Sequence, residues 1–180
     1  LFLHRHALCD TPTTPCHDLL PLIDRIGFVQ VDSINTVERA HHMILFSRRQ
    51  SYRPEALKSL MERDRGLFEH WTHDASILPI ALFPHWQNRF IASEARLKVQ
   101  WQRWFREGYE AQFDTILNRI AAQGPLTTSD VGEGEVRSKG GWWDWHPSKT
   151  ALEWLWRIGA LSIAGRNGFQ KIYDLTERVI

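Results

Sequence analysis

The chain has 180 residues, 43% hydrophobic and 24% charged, which fits a globular protein with room for one sizeable domain or two small ones. Its formal net charge is only +1, which excludes a uniformly basic surface, so any nucleic-acid-binding face must be built from local patches. No apolar run reaches the roughly eighteen residues of a transmembrane helix, no signal peptide is visible, and two cysteines are too few for a zinc finger.

Leu1 to Leu8 reads as the end of a helix already under way, as after a trimmed start. A turn-rich loop follows from Asp10 to Pro15, flanked by Cys9 and Cys16, for which a reduced cytosolic setting is the default. Cys16 to Ile26 carries Leu19, Leu20, Leu22, Ile23 and Ile26 at helical spacing, and Gly27 stops it. Phe28 to Asp32 is an extended segment in which Phe28, Gln30 and Asp32 face one way and Val29 and Val31 the other. Asn35, with Glu38 three residues on, predicts a capped helix running to about Arg49. A helix is expected over Pro54 to Arg63 and an extended piece over Leu67 to Trp71. Asp74 is expected to cap a further helix towards Leu82.

Helices then dominate from Pro84 to Ala122, with breaks expected near Ser93 and Gly108. Within that run Arg89, Arg96, Lys98, Arg103 and Arg106 interleave with Trp101, Trp104 and Phe105, as on an amphipathic helix with its aromatics inward. Phe113 to Gln123 is one helix, ended by Gly124-Pro125. Leu126 is extended, Thr127 to Asp130 opens a second helix or a turn, and Glu133 to Gly141 is a polar loop. Pro147 to Ile158 is a third helix, and Leu161 to Arg166 and Phe169 to Leu175 are strands joined by Asn167-Gly168, the signature of a type I′ hairpin. Three helices and a hairpin make a winged helix, whose third helix usually enters the major groove. The fold class expected is mainly α with short β-hairpins, as tandem winged-helix domains. The first would span 1–109 with its connecting helices and the second 110–180.

Gln30-Val31-Asp32 is the most specific local feature. In an extended segment it presents an amide beside a carboxylate, a pair able to hold one water and accept its proton or stabilise developing positive charge. The same Asp32 could instead organise a turn. His70 and His73, three apart, lack a clear third ligand, so no metal is expected; with His41 and His42 they read as core or surface histidines. Trp142, Trp143 and Trp145 follow a Gly pair and could stack on bases or plug a domain interface. Arg48, Arg49, Lys139, Lys149, Arg157, Arg166 and Lys171 are candidate phosphate contacts.

Four blocks of sequence resemble the AlkZ/YcaQ family of winged-helix DNA glycosylases, in family order. They are Phe28-Val29-Gln30-Val31-Asp32-Ser33-Ile34-Asn35-Thr36-Val37 with Leu45-Phe46-Ser47-Arg48; Phe68-Glu69-His70-Trp71-Thr72-His73-Asp74-Ala75 with Leu78-Pro79; Gly141-Trp142-Trp143-Asp144-Trp145 with Pro147 and Lys149; and Phe169 to Val179. The family's active-site motif is Gln-x-Gln in one branch and Gln-x-Asp in the YcaQ-like branch, and this sequence is similar to the second. The resemblance implies Gln30 and Asp32 as catalytic residues, with Glu69 and His73 nearby in support. It implies DNA contacts from Arg48, Arg49, Lys139, Trp143, Lys149, Arg166 and Lys171.

The activity implied is monofunctional hydrolysis of N7-alkylguanine and unhooking of interstrand crosslinks in double-stranded DNA, without a cofactor. A further C-terminal part is implied beyond residue 180. The expected setting is a monomer in the bacterial cytoplasm, associated with the nucleoid. A non-catalytic winged-helix regulator would instead bind DNA without Gln30 and Asp32, and a protein–protein module would show no salt-dependent DNA binding.

Overall fold

The apolar stripe after residue 18 folds into helix α2 (Leu19–Ile26), with Leu19, Leu22 and Ile23 buried, and Gly27 ends it at a φ of 88° that favours glycine. The computed structural model describes residues 1–8, 19–103, 108–132, 134–135 and 146–180. Expectations for Cys9, Cys16, the loop at 10–15, Trp104, Phe105, Arg106, Lys139, Trp142, Trp143, Trp145 and most of the polar loop at 133–141 lie outside those residues. The chain divides into two compact units, Leu1–Phe83 and Pro84–Ile180.

In the first unit a short helix α1 (Phe2–Arg5) precedes α2, strand β1 (Val29–Gln30), helices α3 (Ala40–Arg48) and α4 (Pro54–Glu62), and strands β2 (Leu67–Trp71) and β3 (Ala75–Pro79). The three strands form an antiparallel sheet in the order β1-β3-β2. The core is largely aliphatic, from Leu19, Ile23, Val29, Leu45, Leu57, Leu67 and Ile77, with Tyr52 and Ala7 at its edges. Each large aliphatic side chain buried in this way stabilises the fold by about 1.5–3 kcal/mol.

Two expectations fail here. The helix expected from Asn35 begins only at Ala40, and its N-cap, Arg39, makes no side-chain cap. Local bonds hold the preceding stretch out of helix: Asp32 Oδ1 accepts from Ile34 N–H (2.8 Å), Arg39 donates to Ser33 O (2.6 Å), and Glu38 Oε1 accepts from Arg39 N–H rather than completing a capping box. The helix expected from Asp74 is instead β3, followed by a 3₁₀ turn over Ile80–Leu82. Asp74 Oδ1 accepts from Ala75 N–H and Thr72 N–H donates to Asp74 O, so this aspartate closes a hairpin.

The second unit opens on a long helix α5 (Phe83–Arg103, its first residue belonging to the first unit), unbroken at Ser93. Helix α6 (Phe113–Gln123), strand β4 (Leu126–Thr127), helix α7 (Pro147–Arg157), strands β5 (Leu161–Asn167) and β6 (Gln170–Leu175) and a closing turn of helix α8 (Thr176–Val179) follow. The sheet order is β4-β6-β5, antiparallel, with a register shift between Ile163 and Gly165. The division between units falls after Phe83, and α5 packs with the second unit. Trp101 meets Trp154 edge-on at 5.1 Å and Tyr109 at 5.5 Å, and Leu97 is buried.

Phe90 covers Gly159, where φ is 81° and an added Cβ would lie 2.6 Å from the ring. On the outer side of α5, Arg89, Arg96 and Lys98 are exposed, as the amphipathic reading requires. The β5–β6 turn also differs from expectation. Asn167 pairs with Gln170, so the turn residues are Gly168 and Phe169. Gly168 has φ 58° and Phe169 is not left-handed, the pattern of a II′ turn rather than I′.

Candidate active site

Alternation in β1 sorts its side chains as the sequence indicates. Val29 and Val31 are buried in the core, whereas Gln30 and Asp32 are half-buried and Phe28 is 46% exposed. The register extends this across the sheet. Val29, Ile77 and Glu69 form one row, and Gln30, Ser76 and His70 form the next, on the opposite face. Val31 N–H donates to Ala75 O at 2.8 Å, which carries the pairing one residue past β1. Asp32 therefore emerges at the end of the sheet where the Thr72–Asp74 turn lies.

One Asp32 oxygen, Oδ1, is held by Ile34 N–H, and the Asp32 N–H donates to His41 Nδ1 at 3.4 Å. Among the described residues no hydrogen bond occupies Asp32 Oδ2 or the Gln30 amide, which leaves an acceptor and an amide side by side for a water or a sugar.

Of the two expected supporting residues, the structure brings one to this end and not the other. His73 is exposed in the turn beside Asp32's end of the sheet. Glu69 is only 2% exposed and sits in the row of Val29 and Ile77, on the face away from Gln30. Sequence reading assigned no site role to His70 and Ser76, which share Gln30's row and are both buried. Ser76 Oγ lies 2.8 Å from Thr72 Oγ1 and donates to Asp74 O at 3.1 Å, so the row ends in a hydroxyl network that fixes the turn. Only the strand register, which sequence spacing does not fix, reveals that row.

The candidate DNA contacts separate into anchored and open cations. Arg48 donates through Nε to His6 O (2.9 Å) and through a terminal nitrogen to Ile44 O (2.9 Å), and burial lowers its pKa. It ties the segment before residue 9 to α3. Arg49 follows the last turn of α3, half-buried. Lys171 has its ammonium 3.5 Å from the Trp156 ring centroid and 3.3 Å from Glu153 Oε2, while Arg157 is buried 3.6 Å from the other Glu153 oxygen. Arg166 bonds Phe169 O and lies 4.6 Å over the Phe169 ring, bracing the hairpin. Lys149 is half-buried on α7, with no hydrogen bond or ion pair among the described residues. Eight of the eleven residues of α7 are buried, and Pro147, Lys149 and Glu153 are half-buried.

Residues 23–180 match the family model for the AlkZ-like DNA glycosylases. The chain belongs to that family. The match covers the whole second unit and the first from residue 23 onward, including the Gln30–Asp32 pair and the β5–β6 hairpin. As an AlkZ-like protein it is a DNA glycosylase by family: its substrate is DNA, its reaction class is cleavage of a base–sugar bond, and its setting is DNA repair. No solved structure matches the chain. Among the described residues of this AlkZ-like chain no group of three or more His, Cys, Asp or Glu could hold a metal ion, and no helix is long and apolar enough to cross a membrane.

Proposed function

We propose that this chain hydrolyses the N-glycosidic bond of alkylated purines in double-stranded DNA, N7-alkylguanine above all, and unhooks interstrand crosslinks made through such bases. The supporting observation is the pair on β1: a half-buried amide and a half-buried carboxylate on one face, the carboxylate held by one oxygen and open at the other. Alkylation at N7 puts a positive charge on guanine, so the base leaves without a strong general acid. The remaining demand is negative charge beside the sugar as it becomes oxocarbenium-like, and a placed water. Asp32 supplies the charge and accepts the proton; Gln30 holds the water.

The alternative nucleophile for base release is an amine. The first unit contains one lysine, Lys58, and its ammonium lies 3.8 Å from Glu62 on α4. Water is the nucleophile, and the enzyme is monofunctional. His73 supports the site from the turn, and Lys149 contacts phosphate, together with Lys139 and Trp143 from the preceding loop. Both units are winged helices by this reading. Each has a helix, a short strand, one or two further helices and a hairpin, with the strands ordered first-third-second in the sheet, β1-β3-β2 and β4-β6-β5. The protein acts as a monomer on nucleoid DNA.

The deciding experiment is base release from a duplex bearing one N7-methylguanine. The parent is expected to leave an abasic site, and Asp32→Asn to slow release by about 10²–10³-fold with DNA affinity retained. Duplex binding by the parent without any base release would overturn the reading and favour a DNA-binding regulator.

A further inference from the structure

Among the described residues β1 is an edge strand, paired with β3. Because N–H groups alternate along a strand, the bond from Val31 N–H to Ala75 O points the next one, on Asp32, away from the sheet. That outward N–H is met by His41 Nδ1 at 3.4 Å, from the first turn of α3. His41 is only 6% exposed. We infer that His41 is a positioning residue for the base-release reaction, holding the Asp32 main chain so that the open carboxylate oxygen keeps its aim. The inference rests on the reading of Asp32 as the catalytic carboxylate.

Three bonds converge on the segment. His41 takes the Asp32 N–H, Asp32 Oδ1 takes the Ile34 N–H at 2.8 Å, and Arg39 grips Ser33 O at 2.6 Å. Two of the three come from the start of α3, so the helix acts as the fixture and the segment as the part it holds. Accepting at Nδ1 requires a neutral ring with its proton on Nε2. His41 lies against His42, ring centroids 4.2 Å apart, and His42 Nδ1 is 2.7 Å from the hydroxyl of buried Tyr52. A backbone held at one atom rather than left to swing matters because a displacement of about 1 Å at a reacting group can cost roughly 10²-fold in rate.

The test compares three variants with the parent on the N7-methylguanine duplex, by single-turnover base release, DNA affinity and thermal midpoint. His41→Asn places an amide oxygen where Nδ1 stands and is expected to stay within about threefold of the parent rate. His41→Gln places its amide at the Nε2 position and is expected to lose about 10–100-fold, the range for partners that orient a reacting group. His41→Leu is expected to lose as much. DNA affinity should be unchanged in all three.

Equal rates for Asn and Gln, whether both parental or both reduced, would overturn the inference, since the position of the acceptor would then not matter. A loss in Gln and Leu that tracks a falling thermal midpoint and is also present in Asn marks a packing role and overturns it too. Asp32→Asn runs alongside: if it is inactive while His41→Leu is parental, the inference alone fails. If Asp32→Asn keeps the parent rate, the assignment of Asp32 fails first.

Discussion

In the first unit the helix before the hairpin, α4, buries Leu57 alone, whereas its counterpart in the second, α7, buries eight of eleven residues. The sheets diverge in the same way. Beyond the core row Val29–Ile77–Glu69 the first sheet carries Gln30, Ser76 and His70; beyond Leu126–Tyr173 the second carries Thr127 and Ile172. Each unit also has an aspartate just past its short strand. Asp130 Oδ2 accepts from both the N–H and the hydroxyl of Thr127 at 2.7 Å, which lowers its pKa and closes a turn. Asp32 Oδ1 instead accepts from Ile34 N–H, and the side chain is half-buried on the face it shares with Gln30. A similar order of elements therefore carries a polar row in the first unit and a buried aromatic cluster in the second. Burial and bonding of single side chains make the difference, and topology alone does not.

The comparison can be broken by substitution. Trp154 is fully buried among Trp101, Tyr109 and Phe113, and Trp154→Ala should cost about 3–5 kcal/mol in denaturant unfolding; a smaller loss would show that the second unit does not depend on its aromatic cluster. Next come the paired aspartates. Asp130→Asn should leave base release within about twofold of the parent and lower stability by about 1 kcal/mol, the scale of a hydrogen-bond loss at the surface. A rate loss as large as that of Asp32→Asn would erase the distinction between the units.

Lys171→Ala should cost about 1–2 kcal/mol through its contacts with Trp156 and Glu153 without altering the salt dependence of DNA binding. Lys149→Ala should do the reverse, reducing the salt slope by about one.

The smallest effect belongs to His42. Burial lowers its pKa below 6.5, with Arg39 adding to the fall and Glu38 and Glu55 opposing it. On acidification the unfolded chain takes this proton first. The stability His42 contributes is therefore complete above pH 6.5 and is lost as pH falls from there through the lowered folded value. His42→Gln should flatten the decline of Tm with pH across that window.

Strong periodicity and firm stops made much of the fold legible. Helix α6 and strand β2 lie where their patterns put them, and Gly124 and Gly159 end helices at positive φ. Asp74 misled because aspartate caps helices and closes hairpins through the same side-chain-to-backbone bond, and Ser76-Ile77-Leu78 is too short to declare its period. Strand pairing on both sides of β3 settled it as a strand.

In the site, the spacing of Gln30 and Asp32 was enough to place them on one face. Glu69's face was not legible, because it depends on a register set by the three residues of the β2–β3 turn. His41 was hidden for a related reason: its bond to Asp32 spans nine residues and arises only once α3 starts late, at Ala40.

Helix α3 has a grip at each end, His41 on the Asp32 amide and Arg48 on the His6 carbonyl. Ala7, beside that carbonyl, is 2% exposed and belongs to the core. The first eight residues are thus wired through one rigid rod to the Asp32 main chain, which carries the proposed catalytic carboxylate. Shortening the protein past His6, or fusing a bulky partner against it, would reach Asp32 like a push on a lever, although the residues removed lie at the other end of α3.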